Sequence, residues 1–372
     1  MSQRALARVD LAAVERNYAE LRRQLSKKSQ LCAVVKAFGY GHGAASCAQA
    51  ALAGGAIWLA VATAGEAAEL RRDGIDARVL VMGALTPDEL AVALEVGADV
   101  VAWRQEFVKH AASLAASAGN PARLHVKLDT GMGRLGTSDE GEALSLVEIA
   151  AGDPKLELAG FMTHFATADE PDSDFFDEQL ARFSPVAARV KEGHPDCVVH
   201  AANSAAVFRE PAAHFDMARC GIAVYGLDPL HEDPSKRGLE PALALESYVA
   251  DIKPVRSGDS VGYGRSWRAG GDTLVGVLPI GYGDGYRRGL SNDADVIING
   301  RRYPLVGTIS MDNVTVDLGT GEGIQQGDIA TLIGAQGGEQ ILAEELARRL
   351  NTINYEITCG ISPRVPRVYD GA

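Results

Sequence analysis

Eight short apolar runs, each separated from the next by a stretch long enough for a helix, constrain the first part of this chain. They are LCAVVK (31–36), IWLAVA (57–62), RVLVM (78–82), ADVVA (98–102), RLHVKLD (123–129), LELAGFMTH (156–164), CVVHA (197–201) and FDMARC (215–220). Strands alternating with helices indicate a parallel sheet with crossover helices. Eight such units close a (β/α)8 barrel, which we predict; a doubly wound open sheet is the alternative.

The pattern changes after about residue 235, where strand-like runs are separated by Gly, Asp and Asn turns. Only residues 343–351 read as a clear helix there, and the polar stretch HEDPSKRG (231–238) is typical of a linker. We therefore predict an α/β fold, with a TIM barrel over residues 1–235 and a mostly β domain over residues 236–372. The first 23 residues read as an amphipathic helix.

Charge and cysteine usage exclude several classes of protein. The net charge of -13 disfavours a general attraction to nucleic acid or to an anionic membrane. No run approaches the roughly 18 apolar residues of a membrane span, and charges interrupt the N-terminal pattern too often for a signal peptide. The five cysteines lack CxxC or Cys/His spacing, which favours a reduced, cytoplasmic setting without a structural metal.

Polar side chains collect at the ends of the predicted barrel strands. Lys36, Lys127, His164 and Arg219 each stand at or near a strand end, and Arg134 lies in the turn KLDTGMGRLG. A single Lys or His in such a place is more often structural than catalytic. Because the carboxyl ends of all barrel strands open on one face, where barrel enzymes carry their active sites, their convergence predicts a site.

The residues at this rim suggest what it binds. Asn203 and Ser204 precede a predicted helix start, where free N–H groups attract anions, although a plain N-cap is an equal alternative. Gly221, the Ile222 amide and the Tyr40 hydroxyl would complete a phosphate cradle. Lys36 could be a solvated strand end, but beside a phosphate pocket its amine suggests an imine with pyridoxal 5'-phosphate.

The ordered motifs of the chain resemble those of the alanine racemase family over essentially the whole length. They read AVVKAFGYGHG, KLDTGMGRLG, THFATADE, HAANSAA, MARCGIAVYG, VGYGRSW, GYGDGYRRGLS, VGTISMDNVTVDL and TINYEITCGISPRVPR. The resemblance implies a two-base pyridoxal-phosphate mechanism that interconverts L-alanine and D-alanine. It also implies a homodimer with shared active sites, because the second base comes from the partner subunit.

The resemblance also implies a role for each matching residue. Lys36 would hold the cofactor and act as one base, and Tyr263 would be the other. Arg219 would face the pyridine nitrogen, and His164 would link it to the tyrosine. The phosphate contacts would be Tyr40, Ser204, Gly221, Ile222 and Tyr355, and Asn203 is predicted to bind the cofactor from its place before the helix. The substrate side would comprise Arg134, Lys127 (often carbamylated in the family), Met311 and Asp312, with Tyr282, Arg288 and Asp169 lining the way in.

Other functions on the same scaffold stay open at this point. A racemase of broader range, acting on serine, lysine or other amino acids, is the main alternative. A related pyridoxal-phosphate decarboxylase and a non-catalytic carrier of the cofactor fit less well. With alanine as substrate, the D-isomer would serve peptidoglycan precursors, or the L-isomer would arise in catabolism. Thr308 stands where many relatives carry arginine, so the outer charge of the pocket differs.

Overall fold

A computed structural model of the chain describes residues 3–371, which form two compact units. The barrel unit comprises residues 15–39 and 44–224, and the β-rich unit comprises the described residues of 1–14, 40–43 and 225–371. The division into domains at residues 235 and 236 stays a prediction.

The N-terminal segment begins with a strand, so the prediction of a continuous helix there is wrong. Strand β1 (Leu6–Asp10) precedes helix α1 (Leu11–Gln24). β1 pairs antiparallel with residues 243–246 and parallel with residues 367–370. These partners come from distant parts of the chain, and strand formation depends strongly on such context. The local sequence therefore does not reveal the strand.

The predicted barrel is confirmed, and the alternative of an open sheet is wrong. Between residues 30 and 220 the barrel strands are β2 (Gln30–Val34), β3 (Trp58–Val61), β4 (Arg78–Val81), β5 (Asp99–Ala102), β6 (Ala122–Lys127), β7 (Leu156–Met162), β8 (Val198–His200) and β9 (Met217–Cys220). Every neighbouring pair is parallel, and β2 pairs with β9 to close the ring.

Helices connect these strands on the outside of the barrel. They are α2 (Ala44–Ala53), α3 (Ala64–Arg72), α4 (Pro87–Glu95), α5 (Gln105–Ala118), α6 (Glu140–Gly152), α7 (Phe175–Gly193) and α8 (Ser204–Arg209). Helices α3 and α4 begin with the same capping box, formed by Thr63 with Glu66 and by Thr86 with Glu89. Strands β3 and β5 are buried at every residue, as expected for parallel strands covered by helices.

The β-rich unit confirms the prediction of a mostly β C-terminal part. After residue 240 its strands are β10 (Leu243–Tyr248), β11 (Asp251–Val255), β12 (Ser260–Val261), β13 (Trp267–Arg268), β14 (Thr273–Leu278), β15 (Asp295–Ile298), β16 (Arg301–Pro304), β17 (Val314–Gly319), β18 (Ile329–Gln336), β19 (Glu339–Ile341) and β20 (Arg367–Asp370). The main sheet has the order β16-β15-β18-β10-β1-β20, and β11-β14-β17 form a second sheet.

Two helices follow β19, whereas only one was clear from the sequence. Helix α9 (Ala343–Arg349) lies within the predicted range, and α10 (Asn354–Cys359) was missed. The segment NYEITC is short and contains β-branched residues, which lowers its intrinsic helix propensity. Asn354, Ile357 and Thr358 are buried, so packing stabilises this helix where propensity does not.

Candidate active site

Lys36 lies two residues beyond β2, at the start of an unusual turn. Ala37, Phe38 and Gly39 all have left-handed backbone conformations, with φ of 51°, 56° and 61°. The Gly39 N–H donates to the Val35 carbonyl at 2.9 Å and closes the turn. Left-handed Ala and Phe are rare because Cβ crowds the backbone. The turn ends the strand abruptly and leaves the half-buried Lys36 at the carboxyl end of the barrel.

Four cationic side chains surround His164 in the barrel unit. Burial, then the charges of Arg219, Lys127, Arg134 and Lys36, lower the pKa of this histidine well below its usual value. Burial, then Arg219 and Arg134, likewise lower the pKa of Lys127 to about 8. In a chain with a net charge of -13, such a concentration of positive charge indicates a binding site for an anion.

Arg219 is buried, and its guanidinium makes four hydrogen bonds within the barrel unit. Its guanidinium donates to His200 Nδ1 at 2.8 Å and to His164 Nδ1 at 3.2 Å. It also donates to the carbonyl oxygens of Thr163 and Ala201, at 2.9 and 3.1 Å. Burial lowers the pKa of Arg219 to about 10, which leaves the group charged at neutral pH.

The donors of Arg219 determine the tautomers of a chain of buried histidines. Because a guanidinium only donates, His200 Nδ1 must accept, and the proton of His200 is on Nε2. That Nε2–H donates to His125 Nδ1 at 2.7 Å, so the proton of His125 is also on Nε2. It donates in turn to Asp99 Oδ2 at 3.0 Å. By the same logic, the proton of His164 is on Nε2.

Asp99 ends this histidine chain at the opposite, amino-terminal end of the barrel strands. Burial raises the pKa of Asp99, but hydrogen bonds from His125, Arg78 and Arg123 outweigh that effect and lower it to about 2. Sequence reasoning missed Asp99, His125 and His200. The available signal was their position inside strands predicted to be buried on both faces, where a polar side chain needs a partner.

Four residues of the predicted phosphate cradle, Asn203, Ser204, Gly221 and Ile222, lie together in the barrel unit. Ser204 Oγ accepts from the Gly221 N–H at 3.1 Å, which brings β9 and the start of α8 together. Asn203 is the N-cap of α8, because its Oδ1 accepts from the Ala206 N–H at 2.9 Å. The Ile222 N–H is buried and has no acceptor among residues 3–371. A buried N–H without a partner fits a bound oxygen that completes the cradle.

The β-rich unit brings Tyr40 and Tyr355 together. Their ring centroids are 6.0 Å apart, and Tyr40 also packs on Tyr225 at 5.1 Å. His231 meets Tyr355 edge-on at 6.2 Å, and its Nδ1 hydrogen-bonds to the Asn354 side chain at 3.1 Å. The early turn at residue 40 and the late helix α10 thus share one aromatic cluster.

Tyr263 stands on the surface of the β-rich unit with 72% of its area exposed. It follows Gly262, whose φ is 76°, and its carbonyl accepts from the Thr308 hydroxyl at 2.8 Å. Thr308 also meets Ser266 Oγ at 3.0 Å. Thr308 therefore holds the backbone of Tyr263, while the Tyr263 ring stays exposed. A cavity of about 360 Å³ adjoins it, lined by Gly262, Tyr263, Thr308, Ser310, Asn313 and Thr315.

The remaining predicted residues divide between the two units. In the β-rich unit, Tyr282 and Met311 are 41% and 51% exposed, and Asp312 pairs with Arg364 at 2.6 Å. The Met311 carbonyl accepts from the Gly283 N–H at 2.9 Å, so these two loops are joined. Arg288 is exposed in the same unit, and Asp169 lies half-buried after β7 in the barrel unit.

Two family models cover nearly the whole chain. The model for "Alanine racemase, N-terminal domain" matches residues 9–229, and that for "Alanine racemase, C-terminal domain" matches residues 242–369. The chain belongs to the alanine racemase family. The resemblance inferred from the motifs is thus confirmed.

Individual relatives agree with the family models. An alanine racemase of Nostoc sp. is 41% identical over 373 aligned residues, covering 99% of this chain and 96% of that protein. One of Symbiobacterium thermophilum is 43% identical, covering 98% and 97%. The crystal structure of an alanine racemase from Streptomyces lavendulae superposes with a TM-score of 0.94 at 37% identity, covering 100% of this chain and 98% of that one.

The alanine racemase family depends on pyridoxal 5'-phosphate, and the residues described above fit that cofactor. The cofactor is an anion with an aldehyde, and the barrel unit offers a cation cluster, a lysine amine and an unpartnered buried N–H. No cluster of His, Cys, Asp and Glu over residues 3–371 is arranged to hold a metal ion. Within the same range, no helix combines the length and hydropathy needed to cross a membrane.

Proposed function

We propose that this chain is an alanine racemase that interconverts L-alanine and D-alanine by a two-base mechanism. The observation that carries the proposal is the cation cluster around His164, in a chain that matches alanine racemases from end to end. An amino acid substrate brings a carboxylate, and the cofactor brings a phosphate. The cluster supplies the positive charge that both require.

Inversion at Cα needs a proton removed from one face and another delivered to the opposite face. When bound, pyridoxal phosphate supplies an electron sink for the electron pair left at Cα. Lys36 Nζ is the amine that would hold the cofactor and exchange a proton on one face. The Tyr263 hydroxyl, from a second copy of the chain, would exchange a proton on the other. Two fixed bases avoid moving a single base across the substrate plane.

Arg219 would face the cofactor ring nitrogen as a donor that keeps its own proton. The histidine chain supports this role because His200 Nδ1 can only accept from the guanidinium in this arrangement. His164, neutral because burial and the neighbouring cations lower its pKa, would carry the link from Arg219 to Tyr263. Arg219 would thus hold the ring nitrogen without protonating it.

The other residues keep the roles proposed from the motifs. Arg134, braced by Lys127, would steer the substrate carboxylate, with Met311 and Asp312 beside it and Tyr282, Arg288 and Asp169 on the way in. Tyr40, Ser204, Gly221, Ile222 and Tyr355 would contact the phosphate, and Asn203 would bind the cofactor from its place before the helix. Support comes from the orphaned Ile222 N–H and from the pairing of Tyr40 with Tyr355.

We also propose a homodimer in which each copy lends Tyr263 to its neighbour's site. The exposure of Tyr263, Tyr282 and Met311 in the β-rich unit supports this arrangement. Exposed aromatic and Met side chains are enriched where proteins associate. The described cysteines are all free thiols, which fits a cytoplasmic enzyme. Its D-alanine would serve peptidoglycan precursors.

The deciding experiment is a racemisation assay over a panel of amino acids. Purified holoenzyme is mixed with L-alanine, and D-alanine is followed by a D-amino-acid oxidase assay; serine and lysine are tested in parallel. Production of D-alanine well above the other D-amino acids supports the proposal. Comparable rates for several amino acids would indicate the broader racemase, and no racemisation by a preparation that binds the cofactor would indicate a carrier. Growth without D-alanine of a D-alanine-requiring bacterium that carries the cloned gene tests the cellular role.

A further inference from the structure

The turn that carries Lys36 is tied to a neighbouring helix by one carboxylate. Glu66 Oε1 accepts from the Ala37 N–H at 2.6 Å. This N–H belongs to the peptide group that joins Lys36 to Ala37. The hydrogen bond therefore acts directly on the backbone orientation of Lys36, although Glu66 lies on α3, in the next βα unit of the barrel.

The other oxygen of Glu66 explains why this carboxylate can act as a fixed point. Glu66 Oε2 accepts from the Ala62 N–H at 2.8 Å and from the Thr63 N–H at 3.1 Å. Both N–H groups lie where β3 leads into α3, and the Glu66 N–H itself donates to Thr63 Oγ1 at 3.1 Å. With one oxygen held by two backbone donors, the other points to a fixed place.

The lysine turn requires such a restraint because its conformation is intrinsically unfavourable. A left-handed residue other than glycine is unfavourable because Cβ crowds the backbone, and Ala37 and Phe38 are two in succession. Phe38 is 55% exposed, so burial of its side chain contributes little to holding the turn. The bonds that Gly39 makes to Val35 and that Ala37 makes to Glu66 oppose relaxation of the turn.

We propose that Glu66 is a positioning residue for Lys36. Its carboxylate holds the peptide group after the lysine and so keeps the amine where the cofactor and substrate need it. The inference rests on the proposed function of Lys36 and adds a residue that does not itself touch the reacting atoms. Catalytic groups displaced by about 1 Å lose much of their effect, so loss of the restraint should appear in kcat.

A second capping box in the same barrel provides a matched control. Thr86 and Glu89 open α4 as Thr63 and Glu66 open α3, and each helix has nine residues. Within the described ranges, the hydrogen bonds of the Glu89 carboxylate are to Thr86, whose N–H donates at 2.8 Å. Glu89→Ala thus removes a capping carboxylate without touching the lysine turn. Thr63→Ala removes the hydroxyl cap of α3 and leaves the carboxylate in place.

The test compares holoenzymes carrying Glu66→Ala, Glu66→Gln, Glu89→Ala and Thr63→Ala. We expect Glu66→Ala to lower kcat on L-alanine roughly tenfold to a hundredfold, and both controls to change it less than about threefold. Glu66→Gln should fall between, because an amide cannot accept from donors on both sides. The visible circular dichroism of the bound cofactor, which reports its fixed orientation, should change only in the Glu66 variants.

Amide hydrogen exchange at Ala37 gives a readout that needs neither cofactor nor activity. Ala37 is exposed, so its N–H should be protected in the parent by the Glu66 bond and exchange rapidly in Glu66→Ala but not in Glu89→Ala. Unchanged exchange, or equal loss of kcat in Glu66→Ala and Glu89→Ala, would overturn the inference. If Glu66→Ala does not fold, Glu66→Gln decides by the same criteria. If the parent racemises nothing, the proposed function fails, while exchange still tests the restraint.

Discussion

The charge of the buried Lys127 side chain depends on pH near neutrality. The pKa of this lysine is lowered from 10.5 to about 8, by burial first and then by Arg219 and Arg134. Near neutrality part of the population is therefore an uncharged amine. Only that form can react with carbon dioxide, which makes the carbamylation proposed for this position chemically accessible.

We predict that Lys127→Met stabilises the fold below pH 8. Between pH 8 and 10.5 the unfolded chain keeps a proton that the folded chain has lost, so the parent's free energy of unfolding rises with pH across that window. The variant lacks this dependence and should be more stable than the parent at pH 7, by up to about 3 kcal/mol. Urea unfolding in buffers free of carbon dioxide measures the difference.

Lys109→Met, at an exposed position on α5, is the matched control and should show no such trend. The prediction fails if the difference between the parent and Lys127→Met stays constant from pH 7 to pH 10.5.

Asp99 stabilises the fold at neutral pH, whereas the charged form of Lys127 destabilises it. The folded pKa of Asp99, about 2, lies below the ordinary value of 3.8, so its stabilisation is complete above pH 3.8 and is lost as the pH falls through 2. We predict that Asp99→Asn destabilises the fold at pH 7 by about 2–4 kcal/mol, because Arg78, Arg123 and His125 lose their shared anion. Denaturant unfolding at pH 7 and pH 3 checks this.

The gap between the parent and Asp99→Asn should narrow at pH 3. Asp172→Asn, on an exposed loop, should leave stability at both values unchanged. An equal loss in the two variants would contradict a special role for the buried carboxylate.

The sequence predicted the site residues at the strand ends, but it did not predict the buried side chains that hydrogen-bond behind them. Lys36, Lys127, His164 and Arg219 were identified because they interrupt apolar runs at a predictable place. Asp99, His125 and His200 also interrupt such runs. Their significance depends on three strands meeting inside a closed barrel, and the order of chemical groups across that interior is not written in any local pattern.

At the scale of elements, Gly160 on β7 leaves space for the His125 ring on the neighbouring strand β6. A Cβ added at Gly160 would lie 2.2 Å from His125 Nδ1, so only glycine leaves room for that ring. We predict that Gly160→Ala destabilises the fold by about 1–3 kcal/mol and displaces His125 from His200. Thermal unfolding measures the loss, and a His125 chemical shift in the NMR spectrum reports the displacement.

A double-mutant cycle separates this clash from a general effect on the strand. In a His125→Ala background, Gly160→Ala should cost little, because the ring it strikes is absent. Gly193→Ala, where an added Cβ meets nothing within 4 Å, is the control for replacing glycine as such. Identical costs in both backgrounds would argue against the clash.

The barrel elements were predictable because each is a local unit with its own pattern. Every barrel strand overlaps one of the apolar runs. Helices such as α3 and α4 begin with Thr and Glu at the spacing of a capping box. β1 and α10 were not predictable in this way. β1 obtains its hydrogen bonds from β10 and β20, and α10 depends on burial, so both are decided by residues far away in the sequence.

At the scale of the whole molecule, the proposed dimer makes a prediction about mixtures of inactive proteins. Lys36→Ala and Tyr263→Phe should each have very low racemase activity alone. In a hybrid dimer, one site combines the intact Lys36 of one copy with the intact Tyr263 of the other. Random mixing of subunits should therefore restore about a quarter of the parent's activity, because half the dimers are hybrids with one good site each.

The measurement is the racemisation rate after the two variants are unfolded together and refolded, with each variant refolded alone as the control. Light scattering after size-exclusion chromatography gives the oligomeric state of each sample. Recovery of no activity from correctly refolded dimers would show that Lys36 and Tyr263 of one chain serve the same site.

The donors that run from Arg219 through His200 and His125 to Asp99 all point in one direction. Aligned dipoles of this kind reinforce one another in a low-dielectric interior. The hydrogen-bonded chain is therefore polarised, with the Asp99 carboxylate at the amino-terminal end of the barrel strands and the Arg219 guanidinium near their carboxyl end. Because Arg78 and Arg123 pair with Asp99, a change at either arginine would alter how strongly the Arg219 end of the chain attracts an anion.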